Sequence, residues 1–174
     1  GFAIAGYTTS PPAAYYDAFL IRLNSSGDTL WSKRYGTSGF DDANSIIQLP
    51  DGGFVLGGQS TNGANGLDMY LVRAGSTGDL MWTKKLGTAG TDNIEQLIRR
   101  SDGSLILAGG TDGPGLGGND GYLVKTDSGG SITWSQIYGG NSQDDFHEVH
   151  KTTDGGYLLS GTSRSSGALE PNMW

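Results

Sequence analysis

The sequence predicts an all-β protein made of repeated four-stranded units, and three observations support that prediction. Glycine is unusually frequent, at 31 of 174 residues, which suits many tight turns between short strands. Apolar residues show no helical spacing over a useful length. The third observation is a period of 51 or 52 residues, and internal repeats of this kind define an architecture. One short apolar segment that ends in glycine occurs four times, at residues 2–6, 54–58, 105–109 and 157–161.

A second set of recurring residues keeps fixed spacings along the chain. An aspartate opens the third strand of each unit, a tryptophan follows it by 14 residues, and two further aspartates follow at intervals of ten. We interpret the tryptophans as packing groups between units and the two later aspartates as acceptors of backbone N–H groups in turns. These structural positions are Trp31, Trp82 and Trp134, then Asp41, Asp92 and Asp144, and finally Asp51, Asp102 and Asp154.

Each unit divides into four strands of ordinary length, separated by turn residues. Four strands joined by short hairpins form an antiparallel meander. The turns contain glycine, which supplies positive φ without steric cost. In the second unit, strands are predicted at 43–49, 54–58, 69–73 and 80–85.

A four-stranded sheet of this size has two faces to bury, so it must stack on further copies of itself. For units of this length the known radial solution is a β-propeller, typically of about 4 to 8 blades. A linear β-solenoid is the alternative, but its coils are usually much shorter. We therefore predict that residues 1–174 form a single propeller segment of about three blades. It divides into a partial blade 1–36, a blade 37–87, a blade 88–139 and a partial blade 140–174.

The positions of the two ends lead to a further expectation. The sequence starts at Gly1 rather than methionine, and both ends fall inside the repeating unit. Open sheet faces and edges are a liability unless something covers them. We expect a piece of a larger propeller, with further blades of the same protein or a neighbouring chain against these surfaces.

Charge and composition restrict the partners. Eleven Lys and Arg against 18 Asp and Glu give a net charge of −7, which disfavours binding to the phosphate backbone of nucleic acids. The chain has no cysteine, which excludes disulfides and thiolate metal sites. No stretch approaches the roughly 20 apolar residues of a membrane-spanning helix, and no membrane insertion is expected.

The repeat resembles a known group of proteins. Residues 51–58, Asp-Gly-Gly-Phe-Val-Leu-Gly-Gly, precede an Asp68-x-Tyr-Leu-Val-Arg segment, a glycine turn, Trp82 and Asp92. This pattern resembles the secreted β-propeller repeat proteins of bacteria and some archaea, and its strand order is similar to that of kelch repeats. The resemblance implies an extracellular or cell-surface location. It also implies that the first strand of each unit is innermost and the fourth lies at the outer edge.

Two histidines in the last unit invite a metal or acid–base interpretation. His147 and His150 occur beside Glu148, but side chains along a strand alternate between its two faces. Residues three apart are therefore predicted to point in opposite directions, and no joint site is expected. The glycine-rich run at 113–118 lacks the ending of a phosphate loop and is interpreted as a surface loop. The sequence predicts no catalytic residue, metal or cofactor.

The loops after the second strand of each unit vary, and residues that differ between matched units are free to carry a specific function. Their aromatic, amide and acid groups suit a glycan or peptide ligand, although tolerant solvent loops have the same appearance. We expect a non-catalytic extracellular or cell-surface module for binding, adhesion or scaffolding. The alternative is part of a propeller-type carbohydrate-active hydrolase or lyase whose catalytic residues lie mostly outside this segment. The candidate ligand residues are Tyr15, Tyr16, Asn65, Asp112 and Asn119.

Overall fold

The computed structural model describes residues 1–9, 15–61, 66–113 and 117–165. Within these ranges the chain forms thirteen β-strands and no helix, so the all-β prediction is confirmed. No helix suited to crossing a membrane occurs in this part of the chain.

The strands form four antiparallel sheets, and in each sheet the spatial order follows the chain order. This is the meander that the short hairpins predict. The first sheet contains β1 (Phe2–Thr8), β2 (Asp17–Leu23) and β3 (Thr29–Tyr35), and the second contains β4 (Ser45–Gln48), β5 (Phe54–Thr61), β6 (Leu67–Ala74) and β7 (Leu80–Leu86). The third contains β8 (Gln96–Arg99), β9 (Leu105–Thr111), β10 (Asp120–Thr126) and β11 (Ile132–Tyr138), and the fourth contains β12 (Asp144–Lys151) and β13 (Tyr157–Ser163).

The strand limits differ from the predicted ones in two places. The central hairpin of the second sheet is longer, since pairing continues to Thr61 opposite Leu67. The first strand is shorter, because Asn44 turns its side chain toward the next sheet, where its Nδ2 donates to the carbonyl of Ile94 at 3.1 Å. The extra pairing shortens the variable loops.

Successive sheets stack face to face and share three hydrophobic cores. The first core joins Leu20 of the first sheet to Phe54 and Leu56 of the second. On the opposite face of the second sheet, Val55 and Leu71 pack into the second core with residues of the third sheet. A third core joins the third and fourth sheets. The second and third sheets are therefore buried on both faces, which a single sheet could not achieve.

The first strands of neighbouring sheets lie close together: β4 contacts β8, and β8 contacts β12. Side chains connect them to backbone amides across each junction. The amide of Leu97 donates to Ser45 Oγ at 3.0 Å, and the amide of Val149 donates to Gln96 Oε1. These bonds fix the register of one sheet against the next.

A register shift beside each tryptophan places one extra residue in the fourth strand. Leu30, Met81 and Thr133 occupy this bulge position, and all three are exposed. The tryptophans Trp31, Trp82 and Trp134 then pack against the first, second and third cores respectively. Their positions are equivalent, but each is only partly buried, because it sits on the outermost strand of its sheet.

Each of the first two tryptophans also covers a glycine in a turn of the following sheet. Gly78 has φ +80°, and a methyl group there would lie 2.8 Å from a ring carbon of Trp31. Gly130 has φ +81° and faces Trp82 in the same way. Beside Gly78, Tyr35 Oη donates to the Gly78 carbonyl at 2.7 Å. Burial, followed by the charge of Asp79, raises the pKa of Tyr35 to about 12, so this hydroxyl remains a donor at physiological pH.

The tryptophan contact is tested by a pair of glycine substitutions. Gly78→Ala places a side chain at positive φ and also against Trp31 and the Cγ of Lys33, whereas Gly27→Ala, at φ +90°, meets no described atom within 4 Å. We expect the backbone conformation to cost each variant about 1–2 kcal/mol. The steric contact should cost Gly78→Ala about 1–3 kcal/mol more. Urea unfolding followed by tryptophan fluorescence measures both losses, and equal losses would contradict the proposed packing role of Trp31.

Candidate functional site

A groove opens on the rim that carries the variable loops, between the first and second sheets. Its volume is about 570 Å³. The lining combines two aromatic rings, hydroxyl groups, the backbone of a glycine and one amine, and consists of Tyr15, Thr37, Ser38, Gly39, Phe40, Thr61 and Lys85.

Three aromatic side chains, Tyr7, Tyr16 and Phe40, form a ladder that reaches this groove through Phe40. The ring centroids of Tyr7 and Tyr16 lie 4.9 Å apart at 87°, and those of Tyr16 and Phe40 lie 4.9 Å apart at 72°. Both contacts have the edge-to-face geometry that aromatic quadrupoles favour. Tyr15, beside the ladder, is 61% exposed. The groove therefore presents one open aromatic face supported by packed rings.

Backbone hydrogen bonds hold the ladder residues in place. Phe40 donates its amide to Thr61 Oγ1 at 2.8 Å and accepts the Thr61 amide at 2.8 Å. The carbonyl of Tyr16 accepts the amide of Asp41 at 2.8 Å. Lys85 Nζ donates to the Thr61 carbonyl at 2.6 Å, which orients the amine at the wall. The groove is thus built from both sheets of the first junction.

The aromatic ladder occurs at this junction and at no other described junction. At the matched repeat positions, residues without a ring replace the aromatic side chains. Tyr7 corresponds to Gln59, Gly110 and Thr162, Phe40 to Thr91 and Gln143, and Tyr16 to Leu67 and Asn119. A residue type that the repeat does not require is available for a specific function.

Of the four predicted ligand residues that the structure describes, it brings two together. Tyr15 and Tyr16 lie at the first junction. Asp112 lies at the second, where its carboxylate accepts the amide of Thr91. Asn119 lies at the third, where its carbonyl accepts the amide of Asp144 at 2.6 Å. Asn65 lies outside the described residues.

Sequence reasoning missed two residues that line the groove, Phe40 and Lys85, and the ladder residue Tyr7. Tyr7 and Phe40 are the aromatic exceptions at otherwise polar or small repeat positions, so a comparison of matched positions contains the signal for them. Lys85 has no such signal, because a basic residue, Arg34, occupies the matched position in the first unit.

The aspartates that precede the first strands bridge neighbouring units. Asp41, Asp92 and Asp144 are each at most 3% exposed. Each donates its amide to a carbonyl of the preceding unit: Asp41 to Tyr16 and Asp92 to Leu67, at 2.8 and 2.7 Å. Their carboxylates accept backbone amides from the segment that links one unit to the next. The Asp41 carboxylate, for example, accepts the amide of Thr37 at 2.6 Å. We name these three residues the link aspartates.

The pKa values of Asp92 and Asp144 shift in opposite directions. Burial raises the pKa of Asp92, and the hydrogen bonds from Thr111 and Thr88 only partly offset it. Burial acts on Asp144 too, but hydrogen bonds from Ser163, Ser165 and the Gly140 amide lower its pKa. All of these partners are donors within the fold. The link aspartates therefore act as structural acceptors in this arrangement.

The aspartates of the opposite rim accept backbone amides in the tight turns. Asp51 Oδ1 accepts the Gly53 amide at 3.0 Å, and Asp51 also pairs with the buried Arg73. Asp102 accepts from Ser104 at 3.0 Å, and Asp154 accepts from Gly156 at 3.1 Å. Hydrogen bonds from Ser104 and from Thr152 lower the pKa values of Asp102 and Asp154 respectively.

The histidines of β12 do not alternate as predicted, and the reason is a β-bulge. The register shifts between Phe146 and Glu148, and Phe146 and Val149, three residues apart, are both buried. His147 and His150 are both exposed, so the expectation of opposite orientation fails at this bulge. The two rings bind different groups: His147 Nε2 lies 3.1 Å from Thr162 Oγ1, and His150 Nε2 lies 3.6 Å from Glu148 Oε2.

Carboxylates of three successive units influence one another near the first strands. Burial raises the pKa of Glu95, the Asp145 carboxylate adds to the effect, and His147 opposes it. Burial likewise raises the pKa values of Asp42 and Asp145. Among the described residues, no group of three or more His, Cys, Asp or Glu side chains has a geometry that could hold a metal ion. Burying these carboxylates in their charged form therefore costs electrostatic free energy.

Comparison with known proteins gives one distant relative to report. No protein-family model matches the chain. The chain is 27% identical over 106 residues to the regulatory protein FlaEY of Caulobacter vibrioides. That match covers 53% of this chain and 11% of the relative, so the chain spans only about a tenth of the protein it matches.

The acidic region gives a pH-dependent prediction for Glu95→Gln. The raised pKa means that the native state binds the Glu95 proton more tightly than the unfolded chain, whose carboxyl titrates near 4.5. The free energy of unfolding therefore falls as pH rises from about 4.5 through the native pKa. Glutamine removes that loss and keeps an oxygen for the Asn93 amide, which donates to Glu95 at 2.6 Å.

We expect Glu95→Gln to unfold at a higher urea concentration than the parent at pH 7, and the two midpoints to converge below pH 4. The control is Glu148→Gln, because the Glu148 side chain is 61% exposed. Its difference from the parent should be small at both pH values. A Glu95→Gln effect of the same size at pH 4 and pH 7 would show that charge is not its cause.

Proposed function

We propose that the chain is a run of β-propeller blades that serves as a non-catalytic binding or adhesion module on the outside of the cell. Its ligand site is the groove at the first junction. The observation that carries the proposal is the aromatic ladder of Tyr7, Tyr16 and Phe40 beside the exposed Tyr15, at positions where the other units have no ring.

The propeller arrangement draws support from how the sheets stack. Four-stranded meanders pack face to face, the inner sheets are buried on both sides, and the first strands of consecutive sheets are in contact. Blades around an axis have these features, since their first strands line the axis. A linear stack shares the face-to-face packing and stays the rival arrangement.

Binding fits the groove better than catalysis does. Asp41, which follows Phe40 in the sequence, is fully buried and accepts hydrogen bonds from Thr37 and Ser60. Lys85 donates to the Thr61 carbonyl, and the remaining polar lining consists of hydroxyls and backbone. General acid–base chemistry needs a carboxyl or imidazole within reach of the substrate. The described groove offers hydrogen bonds and a stacking surface instead.

The chemistry of the groove favours glycans over other ligands. A sugar ring stacks one apolar face on an aromatic side chain and bonds its hydroxyls at the edge. Tyr15 provides the stacking surface, and Ser38 and Thr61 provide hydroxyl groups along the wall. The resemblance to secreted repeat proteins supports an extracellular location. The name of the distant relative, a regulatory protein, specifies no ligand.

A binding experiment tests the groove. Full-length chains carrying Tyr15→Ala, alone and with Tyr16→Ala, are compared with the parent on glycan and peptide arrays. The single change should weaken glycan binding by about tenfold, on the order of 1.4 kcal/mol, because it removes the exposed stacking face. Since Tyr15 is exposed, the fold should be unaffected, and far-ultraviolet circular dichroism checks this.

The matched control is Leu30→Ala, which removes an exposed apolar side chain from the bulge of β3. It should bind as the parent does. Unchanged binding by Tyr15→Ala, or an equal loss in Leu30→Ala, would place the ligand site elsewhere.

A further inference from the structure

The first sheet has an uncovered apolar face. Phe2 is 58% exposed and Ile4 is 45% exposed. With Phe19, Ile21 and Leu23, which are only partly buried, they form one side of the sheet, opposite the side that packs into the first core. We name these five residues the open face. A shallow depression of about 330 Å³ crosses it, with Phe19 and Ile21 in its lining.

The same positions are fully covered in the next two sheets. Their side chains are at most 4% exposed, because the preceding sheet packs on them. In the second sheet these residues are Phe54, Leu56, Tyr70, Val72 and Ala74, and in the third they are Leu105, Leu107, Tyr122, Val124 and Thr126. The open face thus has the composition of a surface that a preceding unit normally fills.

The tryptophan contact identifies what fills it. Trp31 covers Gly78, and Trp82 covers Gly130. Gly27 is the matched residue of the first sheet, has φ +90°, and has no described atom within 4 Å of a Cβ position. The surface at Gly27 therefore corresponds to the surfaces that Trp31 and Trp82 cover at Gly78 and Gly130, and no described tryptophan lies on it.

A polar contact accompanies the tryptophan contact at the first junction, and the first sheet contains the matching acidic residue. At the first junction, Lys33 Nζ lies 3.1 Å from Asp79 Oδ1. Asp28 occupies the position of Asp79 in the first sheet, where Asn24 Nδ2 donates to it at 2.9 Å. The Asp28 side chain is thus placed to receive a lysine from another unit as Asp79 receives Lys33.

We propose that the open face docks another unit of this same repeat, with the tryptophan of that unit seated on Gly27. The apolar face of the incoming sheet covers Phe2, Ile4 and Ile21, and its basic fourth strand reaches Asp28. This interface continues the one observed at the first and second junctions. It does not depend on a glycan ligand or on closure into a ring, because a linear stack would use the same contact.

A second copy of the chain is a poorer occupant than a tryptophan-bearing unit. Trp31, Trp82 and Trp134 already pack against cores within their own chain. On the outward side of the fourth sheet, His150 occupies the position that holds Ile47 and Ile98 in the two preceding sheets. Docking that side onto the open face would desolvate the His150 imidazole and the Glu148 carboxylate 3.6 Å from it, and burying such groups against apolar side chains is costly.

The experiment extends the full chain by one unit. Residues 1–52 are duplicated in front of Gly1, so that Gly52 of the added copy precedes Gly1 as it naturally precedes Gly53. Amide hydrogen exchange is then measured at Phe2–Thr8 and Asp17–Leu23 of the original 174 residues. We expect exchange there to slow by at least about tenfold, since docking makes opening of the first sheet less frequent.

Two variants separate docking from simple strand pairing. Trp31→Ala in the added copy keeps the new strand beside β1 but removes the indole from Gly27, and it should reverse most of the protection. Ile4→Glu in the original unit should change exchange less than about threefold in the 174-residue chain, where Ile4 is exposed. In the extended chain it should accelerate exchange by at least about tenfold, because the charge is buried.

Several results would overturn the proposal. One is an equal effect of Ile4→Glu in the two chains, and another is full protection despite Trp31→Ala in the added copy. A third is an added unit that stays protease-sensitive while the original residues remain folded. The fourth is a concentration-dependent dimer of the 174-residue chain, seen by sedimentation and abolished by Ile4→Glu, which would assign the open face to a second copy.

Discussion

Burial on both faces of each sheet is the constraint on which the rest of this structure depends. Leu56 and Val55 are adjacent in β5, point to opposite sides, and are at most 2% exposed. Alternation in a strand normally separates an apolar side from a polar side. Here both sides are apolar, so each sheet needs a neighbour on either side to bury all of its apolar surface. Stability is then shared along the stack in nearest-neighbour terms, as in other repeat proteins.

Two kinds of contact convert this general requirement into a fixed geometry. At the rim that carries the tight turns, an indole packed on a positive-φ glycine sets the distance between outer strands, as Trp31 does on Gly78. At the rim that carries the variable loops, the amides of the link aspartates donate to backbone carbonyls of the preceding unit, as Asp41 does to Tyr16. Hydrophobic contact is non-directional, and these directional contacts at both rims define how one sheet sits on the next.

The repeat made most of the fold predictable, while the site was predictable only in part. Spacing alone located Trp31 and Asp41, because a residue needed by every unit recurs in every unit. The bulge at His147 was not predictable, since a register shift leaves no periodic trace in a single copy. Tyr15 was identified from the sequence, but Tyr7 lies in β1 and Phe40 lies between β3 and β4, and their contacts with Tyr16 depend on how two sheets pack. Pairwise packing of that kind is a tertiary property that spacing does not encode.

The hydrogen bonds of the link aspartates have a consequence for how such a protein diversifies. Their amides bond to the main-chain carbonyls of Tyr16, Leu67 and Asn119, three residues with unrelated side chains. The bond therefore does not depend on the side chain of the loop residue whose carbonyl accepts it. Substitutions in these loops leave the architecture unchanged, so the rim is free to acquire new surface chemistry one unit at a time. Mutational robustness and variable recognition thus come from the same backbone contact.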